Sequence, residues 1–421
     1  MKLTQKSIYV FADWSLTQEP ELVGSLFASQ SRGKEIFSFG FDESFIHKHP
    51  TLNLDPNLLN VVGPQYSAQG HANFGLFLDA APDRWGRVLM RRREVKRALD
   101  EKRASRTLME SDFLLGVFDG HRLGGLRFKA ELSGPFLDND YELASPPWAK
   151  LSDLEYASLQ LERADVEHDK EYGYWLKLLI APGGSLGGAR PKASVLDEQG
   201  NLWIAKFPSR GDDINIGAWE YLVHRLAKDA SIEVPEAQLR RFNGPFDTFL
   251  SRRFDRNAGG RMHFASAMTL AGNCDGDDAD TGASYLDLVQ ILMQSGAQTN
   301  IDLEQLWRRI VFNVCISNVD DHLRNHGFLL AATGWKLSPA YDLNPVASGN
   351  GLKLNISKND NSQNLELCLS VAPYFRISKK RAQGILDDVV HSVRKWKKMA
   401  PEYFSRAEIS QVQSAFRVVE N

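Results

Sequence analysis

"NVDDHLRNHGFLL", Asn318–Leu330, is the stretch on which the reading of this chain turns. It sets two adjacent aspartates, a histidine, an arginine and an asparagine between the end of an apolar helical run and the start of a run that reads as a buried strand. Burying such groups unpaired costs roughly 2–7 kcal/mol each, so they must be hydrogen-bonded, wet or in contact with a ligand. Upstream, "DLEQLWRRIVFNVCISN" repeats apolar residues at Leu303, Leu306, Trp307, Ile310 and Val314, a helical period with Asp302 placed as its N-cap. Downstream, "HGFLLAATGWKLSPAYDL" supplies a strand, a Thr-Gly turn and a second strand, which returns Asp342 close to where Asn325 left.

The order of these groups has a chemical meaning. Phosphoryl transfer needs a carboxylate that orients the attacking hydroxyl and accepts its proton. It also needs an amide oxygen and a second carboxylate to hold Mg²⁺ against the phosphates. Asp320, then Asn325, then Asp342 beyond a short hairpin follow the order in which protein kinases place these groups. Each residue alone has a plainer reading. Asp320 or Asp321 can end a helix, His322 can be a hydrogen-bonded packing residue, and Asp342 can form a turn before Asn344-Pro345.

Working toward the N-terminus, "PGGSLGGARPKASVLDEQGNLWIAKFPS" reads as a glycine-rich loop, a strand Lys192–Leu196, a turn and a strand Leu202–Phe207. Gly183, Gly184, Gly187 and Gly188 flank Ser185, and glycines let backbone N–H groups turn toward an anion. No Gly-Lys-Ser/Thr closes the loop, so it is not a Walker A sequence. Strand alternation places Leu202, Ile204 and Lys206 on one face and Trp203, Ala205 and Phe207 on the other. A strand lysine after a glycine-rich hairpin is how protein kinases grip the α- and β-phosphates of ATP, with an acid on the next helix; Glu220 is the candidate acid. The plainer alternatives are a lysine snorkelling to the strand end and a surface glutamate.

The rest of the chain frames this pattern. At 421 residues it is too long for one core and predicts two or three domains. A net charge of -3 with 24% charged residues predicts neither a general nucleic-acid binder nor an acidic tail. Cys274, Cys315 and Cys368 have no CxxC spacing, which favours a reducing, cytoplasmic setting. "MKLTQKSIYVFADWSL" lacks a signal-peptide core, and no stretch reaches the roughly 18 apolar residues of a membrane span.

"SIYVFADWSLTQEPELVGSLFA" and "KEIFSFGFDESFI" alternate as a small antiparallel sheet. "GLFLDAAPDRWGRVLMRRREVKRALDEKRASR" takes helical spacing through Leu89, Val95 and Leu99, its basic faces being either a solvated surface or one for phosphates or acidic partners. "ELSGPFLDNDYELASPPWAKLSDL" reads as a linker. "SKKRAQGILDDVVHSVRKWKKMA" is helical through Ala382, Leu386, Val389, Val393 and Trp396.

Taken in order, "GGSLGGARPK", "WIAKFP", "RRFDR", "NVDDHLRN" and "PAYDLNP" resemble the HipA family of bacterial serine/threonine kinases, the toxin halves of HipA–HipB toxin–antitoxin pairs. "GKEIFSFGFDESFI" and "GGLRF" resemble the family's N-terminal subdomain. The resemblance implies an α+β, protein-kinase-like two-lobed fold with a β-rich N-terminal subdomain and a mostly helical C-terminal lobe. Residues 1–135 would be that subdomain, 150–255 the kinase N-lobe and 256–421 the helical C-lobe.

It further implies Asp320 as catalytic base, His322 close to the nucleotide, and Asn325 and Asp342 as Mg²⁺ ligands. Lys206 would bind phosphate, and Gly187, Gly188, Ala189, Arg190, Pro191 and Lys192 would form the loop over the phosphates. Arg252, Arg253 and Phe254 would line the adenine hinge, Tyr341 would join Asp342 at the nucleotide, and Ser185 would match the serine that family members autophosphorylate to switch themselves off.

ATP and Mg²⁺ are the implied cofactors. The implied substrate is a protein serine or threonine, in some members on an aminoacyl-tRNA synthetase. The implied partner is a HipB-like DNA-binding antitoxin, with operator DNA reached through it and no membrane; Arg91–Arg93 and Lys395–Lys398 are candidate basic faces. The chain departs from the family pattern at Arg252, where members often carry Glu or Lys, and between Ser185 and Lys192. Three other readings remain: a small-molecule phosphotransferase, a catalytically silent nucleotide-binding corepressor, and a hydrolase with a metal cluster at Asp320, Asp321 and His322.

Overall fold

The computed structural model describes residues 5–31, 33–68, 70–137, 146–183, 188–257 and 260–417. The chain forms two compact units, Met1–Gly211 with Asp255–Ala265, and Asp212–Phe254 with Ser266–Asn421. Its α+β organisation is the expected one, with a β-rich first part and a mostly helical second part.

In the first unit, the alternating N-terminal segments become the strands Gln5–Ala12, Glu21–Ser31 and Lys34–Phe41. With Gln65–Tyr66 outside Lys34–Phe41 and Leu126–Lys129 beside Gln5–Ala12, they make a five-stranded antiparallel sheet. Ile8, Leu26 and Phe39 stand in register across three strands and are fully buried. Each such side chain stabilises the fold by about 1.5–3 kcal/mol. Gly24 allows two strands to approach: a Cβ there would sit 2.2 Å from the Gly40 carbonyl.

The helix Arg84–Asp100 lies where its spacing predicts, but with a different buried stripe. Trp85, Leu89, Met90, Glu94 and Ala98 face inward, while Val95 and Leu99 are exposed at 40% and 69%. Glu94 is tolerated inside because Arg103 grips its two oxygens at 2.6 and 3.2 Å and the Arg106 N–H adds a third bond at 3.0 Å. Lys96, Arg97, Arg103 and Arg106 pair with Asp100, Glu101, Glu94 and Asp112, as a solvated face does. Residues 138–145 of the expected linker lie outside the described residues, and the helix Leu151–Leu161 begins near its end.

The segment Asp255–Ala265 completes the first unit. Asp255 accepts bonds from the Gly124 N–H at 2.9 Å and Arg256 at 2.6 Å, and Arg256 also donates to the Arg122 carbonyl at 2.7 Å. Arg261 pairs with Asp119 at 3.2 Å, its carbonyl accepts from the Ser15 N–H, and His263 stacks on Trp14 at 4.8 Å. The second half of "RRFDR" thus braces "GGLRF".

The second unit is built around the helix Thr299–Ile316, buried on nearly every side from Asp302 to Ile316. Leu303, Leu306, Trp307, Ile310 and Val314 take the core positions expected of them. Asp302 is not the N-cap: the helix starts a turn earlier, after Gln298. Its carboxylate instead accepts from Gln298 at 2.9 Å and from the Leu337 N–H at 3.1 Å, a backbone donor in a strand far along the sequence. The helix Lys379–Arg394 is capped by Ser378 and buries Ala382, Ile385, Val389 and Val393, with Ile385 taking the place expected of Leu386.

Candidate functional site

The central helix stops at Ser317, whose left-handed φ of 49° returns its N–H to the carbonyls of Asn313 and Val314. The turn that follows separates two neighbouring aspartates by environment. Asp320 is exposed and Asp321 is 2% exposed. Asp321 Oδ2 accepts from the Tyr285 hydroxyl at 2.5 Å, Asn313 Nδ2 at 2.7 Å and His326 Nε2 at 2.8 Å. Asn313 Oδ1 in turn accepts from Asn318 Nδ2 at 3.2 Å. Burial pushes the Asp321 carboxyl up, but His326 and the hydrogen bonds from His326 and Tyr285 outweigh it and hold the group below its ordinary value.

Asn325 is 8% exposed, and its Nδ2 donates to the Asp320 carbonyl at 3.1 Å. That bond commits the nitrogen of the amide and leaves its oxygen as the atom suited to a cation. His322 caps the short turn Leu323–Asn325, with Nδ1 accepting from the Arg324 N–H at 3.2 Å; a neutral ring then carries its proton on Nε2. Arg324 pairs with Asp275 at 3.1 Å.

The hairpin Gly327–Ala331 and Gly334–Leu337 brings the chain back as its alternation predicts. Arg309, 2% exposed, donates to the Ser338 carbonyl at 2.6 Å, and burial pulls its guanidinium down to about 10. Beyond it, the Tyr341 hydroxyl donates to the Arg324 carbonyl at 2.7 Å, and the Val346 N–H reaches the Ser317 carbonyl at 3.2 Å. Between these two tethers lies Asp342, half-buried, with a left-handed φ of 59°. Aspartate tolerates that conformation better than most residues, and such backbone strain gathers at ligand-binding positions.

Phe254 packs its ring 5.6 Å from Tyr341, so the segment Arg252–Phe254 meets the segment carrying Asp342. The Arg252 N–H is engaged by the Glu236 carbonyl at 2.8 Å, and Arg253 is buried. Glu220, on the helix Ile216–Asp229, is buried as well.

In the first unit, the strands Lys192–Leu196 and Leu202–Lys206 pair antiparallel with Lys192 directly opposite Lys206. Trp203, Ala205 and Phe207 are buried and Lys206 is half-buried, as the alternation requires. Gly188 has φ of +84°, and a Cβ there would lie 2.7 Å from Lys192 Nζ. Its N–H donates to Asp83, its carbonyl accepts from the Trp85 N–H at 3.3 Å, and Trp85 Nε1 donates to the Lys192 carbonyl at 3.1 Å. Ala189, Arg190 and Pro191 connect Gly188 to the strand; Gly184, Ser185 and Gly187 lie outside the described residues.

Two groups of contributors were not anticipated from the sequence. Asp83 stands at a helix N-cap, where its side chain would ordinarily hold the helix, but it is turned to Gly188. Tyr285 and Asn313 carry no motif, and only the fold brings them to Asp321.

The model of the HipA-like C-terminal domain matches residues 184–397, just over half of the sequence. The chain therefore belongs to the HipA family. It is 28% identical over 185 residues to a Haemophilus influenzae protein named "Putative kinase", a match covering 39% of this chain and 53% of that protein. It is also 28% identical over 149 residues to "Putative kinase Y4mE" of Sinorhizobium fredii, covering 33% of each. The chain thus spans about half (53%) or less of the length of these relatives.

Among solved structures, HipA of Shewanella oneidensis MR-1, determined with HipB and its operator DNA, is similar with a TM-score of 0.65 at 14% identity. The match covers 98% of this chain and 95% of that one. The likeness is one of fold. No helix among the described residues is long and apolar enough to cross a membrane.

Proposed function

We propose that this chain is an ATP- and Mg²⁺-dependent serine/threonine protein kinase and acts as a HipA-like toxin. The observation that carries this is the 317–346 segment. Two tethers, the Tyr341 hydroxyl to the Arg324 carbonyl and the Val346 N–H to the Ser317 carbonyl, return Asp342 to the turn bearing exposed Asp320 and the half-committed amide of Asn325. Asp320 would orient the substrate hydroxyl and accept its proton as the oxygen attacks the γ-phosphorus and ADP leaves.

Asn325 and Asp342 offer an all-oxygen donor set suited to Mg²⁺, which when bound would neutralise charge on the phosphates. Lys206 and Lys192, with the loop from Gly187 to Pro191, would grip phosphate oxygens. His322, Arg252, Arg253, Phe254 and Tyr341 would contact the rest of the nucleotide. The hydrolase reading fares worse, because Asp321 already accepts three hydrogen bonds.

In functional terms residues 1–135 would be the N-terminal subdomain, 150–255 the part holding the phosphates and 256–421 the part holding the base and metal. The target would be a translation component such as an aminoacyl-tRNA synthetase, and the partner a HipB-like antitoxin that carries the complex to operator DNA in the cytoplasm. Autophosphorylation of Ser185 would add about two negative charges beside groups that hold triphosphate, and so switch the enzyme off.

Incubating the full chain with γ-labelled ATP and Mg²⁺ in a cell lysate tests this. The expected result is label on one protein serine or threonine and on Ser185. Asp320→Asn should lose the transfer by about 100-fold or more, and Ser185→Ala should keep target labelling while losing its own. Label on a metabolite alone would make the chain a small-molecule phosphotransferase. Growth arrest by Asp320→Asn would make it a silent corepressor.

A further inference from the structure

Three elements of the second unit converge on one buried oxygen directly beneath the proposed catalytic turn. Tyr285 comes from the helix Tyr285–Ser295, Asn313 from the central helix, and His326 from the residue before the hairpin strand. All three donate to Asp321 Oδ2, and Asn318 is tied to Asn313. The turn is thereby pinned at its start, its middle and its end. Asp320 is one residue from the middle pin and Asn325 one residue from the last.

We propose that Asp321 is a positioning residue: held by Tyr285, Asn313 and His326, its carboxylate fixes where the turn presents Asp320 and Asn325, and so sets the rate of phosphoryl transfer without touching the substrate. This rests on the kinase reading given above. A carboxylate suits the task because a single acceptor oxygen organises donors from three elements. An asparagine of nearly the same volume would place an uncharged and therefore weaker acceptor opposite the three donors. An apolar residue would leave Tyr285, Asn313 and His326 with buried, unmatched donors. The requirement for placement is steep, since a shift of about 1 Å in a reacting group can cost on the order of 100-fold in rate.

The test uses the full-length protein and reads three quantities: the rate of label transfer from γ-labelled ATP into protein with Mg²⁺, the KM for ATP, and hydrogen exchange of the 318–326 amides. Asp321→Asn and His326→Ala should each lower kcat about 100-fold while KM for ATP stays within about 3-fold, with faster exchange confined to the turn. His326→Gln, which keeps an N–H donor, should recover most of the lost kcat. Should Asp321→Asn fail to fold, Tyr285→Phe removes a single donor and should show the same split on a smaller scale.

Variants that keep the wild-type kcat would overturn the inference. So would a loss of rate that only parallels a general rise in exchange across the unit, which would make Asp321 a residue of stability alone. A wild-type protein that transfers no phosphate would instead remove the kinase reading, and confined exchange in the variants would then still support the pinning of the turn.

Discussion

Neighbouring carboxylates in this protein have opposite fates, and the difference lies in what reaches them rather than in what they are. Asp320 faces water, while Asp321 accepts three hydrogen bonds in the interior. Glu94 shows the same principle elsewhere. Its bond to Arg103, joined by the Arg106 N–H, holds its pKa to about 2, below the ordinary 4.5. A folded state that binds the proton less readily than the unfolded chain gains stability that is complete above the ordinary value and is lost as pH falls through about 2. Glu94→Gln should therefore melt below the wild type near neutral pH, and the gap should close as pH is lowered from 4.5 toward 2. Thermal scans across that range check this; a gap that does not change with pH would remove Glu94 as the cause.

Residue types and order mark Asp320, Asn325 and Asp342 as an ordered set and carry the proposal made above. Which of the two adjacent aspartates is buried was not legible, because the donors to Asp321 come from positions without a motif.

At the scale of elements, local pattern was most informative where one strand or hairpin decides the outcome. Lys192–Leu196 and Leu202–Lys206 were legible because alternation and a turn sequence are local properties. Asp302 was misread because its real partner, the Leu337 N–H, is visible only after the hairpin has folded against the helix. The Val95 and Leu99 stripe was misread because a buried glutamate with an arginine clamp looks polar in sequence.

The hairpin turn itself depends on Gly334, which has φ of +140° and would place a Cβ 2.3 Å from the Ser295 carbonyl. Gly334→Ala should destabilise the protein by about 1–3 kcal/mol. Exposed Thr333→Ala next to it should cost less than about 0.5 kcal/mol. Urea unfolding midpoints separate the two, and equal midpoints would mean that the backbone has another way to turn there.

At the scale of the whole molecule, the chain visits its first unit twice. Asp255, Arg256, Arg261 and His263 arrive after Asp212–Phe254 has been laid down in the second unit, and they join Gly124, Arg122, Asp119 and Trp14. This arrangement has no local signature, since nothing in "RRFDR" marks the point between Phe254 and Asp255 at which the chain passes from one unit to the other. A fragment ending at Gly211 should accordingly show no cooperative thermal transition by circular dichroism, whereas the full chain should. A cooperative melt of that fragment would show that the returning segment is dispensable.

The same double visit sets a timetable for the nascent polypeptide. Chains emerge N-terminus first at about 5–20 residues per second. Roughly 40 residues separate the two visits, so the Trp14 indole and the 119–124 turn wait several seconds of translation for the segment that packs against them.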